Sequence, residues 1–284
     1  MIKSSYQLFT LFGIPVKADL SLFILAFLLI QSYSSPLYGL ATGIILLISI
    51  LLHELGHSLV AMAFGCRVRD ITLMMMGGCA SMLSMPQKAW QEFLMAFAGP
   101  LVSLALAIAG FLFAGVYLDG DGHLVYKPGL INEFALYQVG VLNLILFIFN
   151  LLPAFPMDGG RILRAFLQQF FMTKVKATWI ASRLGRFLAI LLAVSVIYSW
   201  MTKQFDGYLI IRLLIAYSIY RAAEQEYQMV LAEEGYGNGN PFARFGFPFF
   251  GRTTRTPPPD DGQAIVSPPP YERGSGKRVD VRKE

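Results

Sequence analysis

Long apolar runs decide what this chain can fold into. They lie at about 20–31, 37–64, 93–117, 134–152, 180–200 and 208–220, and several meet or approach the ~20 residues that span a bilayer as a helix. The second run contains His53-Glu54-Leu55-Gly56-His57. Two histidines and a glutamate are costly in hydrocarbon and are seldom placed there without a function. Four residues apart on a helix is roughly 400° of rotation, so both rings face one side. That is the spacing two imidazoles need to grip one zinc ion from one helix. Glu54, next to the first ring, can reach a water at such a metal as a general base.

The remaining composition agrees with a membrane setting. Charged residues make up 14% of the chain, against a usual ~25%. The net charge of +5 comes from basic residues near span ends and in the tail, so it does not point to nucleic acid. Cys66 and Cys79 give neither a disulfide framework nor a CxxC metal pair. Gly13 and Pro15 break up the amino-terminal lead, which lacks the shape of a signal peptide. These features predict an all-α polytopic membrane protein of about six transmembrane helices. A transmembrane domain is expected over 1–230, and a disordered Gly/Pro-rich basic tail over 235–284.

Two irregular stretches interrupt the spans. The segment 70–82 is β-tolerant on both sides of Gly77-Gly78, which suits either a re-entrant hairpin sheltered by protein or an ordinary interfacial loop. The fourth span ends in Asn150-Leu-Leu-Pro153-Ala-Phe-Pro156-Met-Asp158-Gly-Gly-Arg161, where the prolines stop the helix. Asp158 can either complete a His-His-carboxylate zinc site or cap the next helix. That next helix, 162–171, reads as amphipathic and interfacial, with Arg164, Gln168 and Gln169 on its polar face. Basic residues separate the two readings of Asp158. With a cytosolic amino terminus and six spans, Lys3, Lys17, Arg67, Arg69, Lys88, Arg161, Arg164, Lys174 and Lys176 all fall inside. Only Lys127 and Lys203 fall outside, as the positive-inside rule requires. Asp158 and the two histidines then approach one another from the cytosolic side, which favours the ligand reading.

On these motifs the chain resembles the site-2 protease family of intramembrane zinc metalloproteases. The matching pieces are His53 to His57, Gly77-Gly78, Ala98-Gly99-Pro100 and Asn150 through Gly160. The resemblance implies a three-span catalytic core at about 37–164. It implies one zinc per chain on His53, His57 and Asp158, with Glu54 as catalytic base and Asn150 assisting at the substrate. Gly77 and Gly78 would align the substrate as an added strand. Met157 departs mildly from the leucine usual before the aspartate, and Ser103 stands near a place where the family often has Asn and receives no role. The implied substrate is a single-span regulatory membrane protein, cut to release a cytosolic fragment. The implied setting is the lipid bilayer of a bacterial cytoplasmic membrane, multi-pass, with both termini cytosolic and with homo-oligomers left open. A metal-ion transporter and an inactive membrane scaffold are the rival readings.

Overall fold

The computed structural model describes residues 5–75, 77–86, 88–115, 117–118, 124–125, 131–202 and 209–234. The stretch 235–284, expected to be a disordered tail, lies outside the described residues, as does His123. Seven helices carry most of the described chain: α1 (Ser21–Ser32), α2 (Pro36–Ala63), α3 (Ala89–Phe113), α4 (Ile131–Asn150), α5 (Asp158–Phe170), α6 (Lys174–Thr202) and α7 (Leu209–Glu233). Of these, α2, α3 and α6 are long and apolar enough to cross a membrane. The 12 residues of α1 reach only about 18 Å, and 134–150 is likewise a shorter apolar helix.

The chain is not purely helical. Four strands form one sheet in the order β1 (Ser5–Leu11), β2 (Ile14–Asp19), β3 (Val68–Met74), β4 (Gly77–Met82). Two short strands, β5 (Tyr117–Leu118) and β6 (Leu124–Val125), pair separately. The polar and aromatic amino-terminal lead, broken in sequence by Gly13 and Pro15, is therefore a hairpin. Phe12 and Gly13, with φ of 50° and 79°, form its two-residue turn. β2 then pairs in parallel with β3, across a connection that includes all of α1 and α2. Lys17 seals that pairing by donating to Asp70 at 2.6 Å, and Arg69 adds a second contact at 3.2 Å. Burial alone would raise the Asp70 carboxyl, but the Lys17 and Ser81 hydrogen bonds and the two cationic charges outweigh it and hold it below the ordinary range.

Helix α2 starts with Pro36 in its first turn, where a missing N–H costs nothing. It ends in a Schellman turn: Gly65 (φ 80°) donates to the Met62 carbonyl and Cys66 to the Ala61 carbonyl. That turn reverses the chain into β3, so the hairpin folds back along the last turns of α2. Ile14, Val16, Ile71 and Leu73 of the sheet bury against Ile50 and Leu55 of α2. The resulting core fixes β4, the edge strand, beside the His53–His57 turn. On the far side of α2, the fully buried Asn143 of α4 donates to Ser49 Oγ at 2.8 Å. This tie between two helices is the kind that polar groups make in hydrocarbon.

Helix α5 is amphipathic as expected. Arg164 is buried, whereas Phe166, Phe170 and Phe171 are exposed. Arg164 faces protein, while the exposed phenylalanines are the side chains suited to a lipid boundary.

Candidate metal centre

His53 and His57 stand one turn apart on the buried face of α2, 3% and 7% exposed. Their rings are nearly perpendicular, with centroids 4.8 Å apart. Each ring is held from α3. His53 Nδ1 lies 2.9 Å from Ser103 Oγ, and His57 Nδ1 lies 2.7 Å from the Met95 carbonyl oxygen. A carbonyl can only accept, so His57 Nδ1 carries the proton, and in the neutral ring Nε2 presents a bare lone pair. That nitrogen sits 3.0 Å from Asp158 Oδ2 and 3.2 Å from His53 Nε2. His53 Nε2 is itself 3.0 Å from the same Asp158 oxygen.

This convergence fits a metal ion. A bare lone pair on His57 facing a carboxylate oxygen is repulsive unless a proton or a metal ion stands between them. The edges of the triangle are close to the ~3.3 Å separating ligand atoms in a tetrahedron with metal–ligand distances of about 2.0–2.1 Å. Among the described residues, His53, His57 and Asp158 are the group of ligating side chains close enough to hold one ion. Two imidazoles and a carboxylate suit zinc with a fourth position left open.

Asp158 does not behave as a cap. The N-cap of α5 is Met157, without a side-chain capping bond, and Asp158 is the first helical residue. At that position the helix dipole favours its negative charge. The loop before it runs back over the start of α5, so Gly159 and Gly160 lie directly against the backbone of 151–155.

Glu54 stands on the same turn of α2 and reaches the sheet. Its Oε2 accepts from the Ala80 N–H of β4 at 3.2 Å. A side chain at Gly78 would put a Cβ 2.5 Å from Glu54 Cγ and 2.9 Å from Ile50 Cγ2, so only glycine lets the strand approach this closely. Gly77, at φ 131°, opens the strand from the left-handed region. Asn150 ends α4 and is half-buried.

Ser103 is a participant that spacing alone did not reveal. It is fully buried on α3 and fixes the His53 ring. Partners that orient a metal-binding imidazole typically govern affinity 10–100-fold. Ser103→Ala is expected to weaken zinc binding by about that factor, read by competition with a chromophoric chelator, with helix content unchanged.

Comparison with known proteins agrees with this geometry. The model of peptidase family M50 matches residues 41–126 and 125–192. The zinc metalloprotease MJ0392 of Methanocaldococcus jannaschii is 35% identical over 237 residues, 82% of this chain and 64% of its own length. The Synechocystis protein sll0528 is 37% identical over 190 residues, 62% of this chain and 48% of its own length. The chain thus spans less than two thirds of either relative. The solved structure titled Site-2 Protease from Methanocaldococcus jannaschii superposes with a TM-score of 0.56 at 33% identity, covering 78% of this chain and 95% of that one. The family match takes in Glu54 and all three converging side chains, and the helices around them are those of an integral membrane protein: this chain belongs to peptidase family M50.

Proposed function

We propose that the chain is a zinc-dependent intramembrane endopeptidase, with one zinc per chain held by His53, His57 and Asp158. The observation that carries this reading is the convergence of two imidazole nitrogens and one carboxylate oxygen within 3.0–3.2 Å of one another. It lies between apolar helices, with a glutamate on the same turn. When bound, zinc supplies Lewis acidity towards a peptide carbonyl and towards water. Glu54 takes the proton of the attacking water and returns it to the leaving amine. The Ala80 N–H keeps the Glu54 carboxylate turned towards β4.

Substrate alignment follows from the sheet. The Ala80 N–H turns away from β3, so the outer edge of β4 also carries the backbone groups of Gly78 and Met82. An extended substrate added along that edge would pass beside Glu54. A transmembrane helix must first unwind, because its own hydrogen bonds hide its amides. We take the substrate to be a single-span regulatory membrane protein, cut within or beside its span to release a cytosolic fragment. The catalytic core is 37–164; α1, α4 and α7 complete six spans with α2, α3 and α6, and both termini are cytosolic in a bacterial cytoplasmic membrane. The charge distribution supports that topology.

We assign Asn150, at the end of α4, the role of donating a hydrogen bond to a developing oxyanion. Pro153 and Pro156 turn the chain back between it and Asp158. Asn150→Ala is expected to lower turnover by about 10²-fold or more, with zinc content and thermal stability in detergent unchanged. A stability loss with normal turnover of the folded fraction would make Asn150 structural.

The test is incubation of purified protein with a model single-span substrate, with and without a zinc chelator. Cleavage that stops with the chelator and returns with zinc supports the proposal. Metal flux without cleavage would indicate a transporter, and neither activity a scaffold.

A further inference from the structure

The two histidine rings take their orientation from α3, through Ser103 and the Met95 carbonyl. The third converging side chain, Asp158, begins α5. The triangle of ligand atoms therefore depends on how α5 sits on α3. A charged tie joins these helices: Arg164 Nε of α5 donates to Glu92 Oε1 of α3 at 2.9 Å, and Nη2 donates to the same oxygen. Both residues are nearly closed off, 2% and 5% exposed.

Arg164 does more than join two helices. Its Nη1 donates to Glu226 Oε1 of α7 at 3.1 Å, beyond the residues matched by the family model. Its guanidinium lies over the Phe155 ring, 5.0 Å from the centroid. Phe155 is 1% exposed and stands three residues before Asp158. Its N–H donates to the Ala181 carbonyl of α6 at 3.2 Å, and its ring is enclosed by Ala181 and Ala223. One side chain thus touches the helix that orients the histidines, the loop that delivers the aspartate, and α7.

Stability alone is a weak reason to bury such a group, because apolar replacements of buried ion pairs are often neutral or stabilising. A guanidinium supplies direction instead: its planar fork fixes two partners at set angles while its face stacks on a ring. We propose that Arg164 is a positioning residue of the metal centre. It sets Asp158 against the two histidine rings, and through Glu226 it makes that placement depend on the docking of α7. The proposal rests on Asp158 being a metal ligand.

The test measures zinc Kd by chelator competition, the thermal midpoint of the metal-free protein, and the visible spectrum of the cobalt(II)-substituted protein. The variants are Asp158→Ala, Arg164→Lys and Glu226→Gln in the full chain. Arg164→Lys is expected to weaken zinc about 10-fold or more and to shift the cobalt spectrum. Glu226→Gln is expected to change both in the same direction, by less, with the metal-free midpoint held. If both variants keep the wild-type Kd and spectrum while Asp158→Ala weakens binding, Arg164 is only structural and the proposal falls. If Asp158→Ala itself leaves Kd unchanged, the ligand reading falls instead. Should Arg164→Lys fail to fold, Glu226→Gln and Phe155→Leu decide by the same criterion.

Discussion

Glu54→Gln is expected to leave one zinc per chain and remove peptide cleavage. The amide keeps the shape of the side chain and leaves the three ligating atoms untouched. It cannot take a proton from water at neutral pH. Loss of a positioned acid–base group typically lowers rates 10²–10⁴-fold, and the upper end is expected here because the proposed mechanism uses this carboxylate in both the attack and the departure of the amine. Metal analysis and product mass spectrometry on the same preparation check it. Retained cleavage would remove Glu54 as the base. Loss of zinc together with cleavage would show that the substitution disturbed the centre.

Gly99→Ala is expected to destroy the metal centre without replacing a ligand. A Cβ at this position would collide with His57 Nε2, and would stand 2.5 Å from His57 Cε1 and 2.8 Å from His53 Nε2. These are the atoms that turn towards Asp158. No flexible side-chain end is available to yield, because Ser103 and the Met95 carbonyl hold the rings from behind. Either the rings leave their orientation or α3 moves off α2. Zinc affinity is expected to fall at least about 100-fold, the upper end for a disturbed ligand orientation, and cleavage with it. Circular dichroism should still report the helices. Normal zinc binding by Gly99→Ala would mean that α2 and α3 do not cross this closely.

Much of the centre was legible from spacing. His53 and His57 fall on one face because the helical period dictates it, and the prolines after Asn150 mark where a carboxylate can leave the membrane. What was not legible depends on partners far along the chain. β2 pairs with β3 more than fifty residues later, and Pro15 within it hides the strand. Gly13, read as a break, is a turn residue. Ser103 lies 50 residues from His53; the signal, visible only in retrospect, is a polar side chain one turn after Gly99 in an apolar helix. The periodicity puts Arg164 on the polar face of α5, but its buried partners, Glu92 and Glu226, lie 72 and 62 residues away and no local pattern shows them.

Zinc K-edge absorption on the purified, metal-loaded protein tests the central claim most directly. One zinc per chain is expected, with two imidazole nitrogens and a carboxylate oxygen at about 2.0–2.2 Å and no sulfur. Asp158→Ala should lose the carboxylate contribution and most of the occupancy. A spectrum containing sulfur from Cys66 or Cys79, or one unchanged in Asp158→Ala, would contradict a metal centre built from His53, His57 and Asp158.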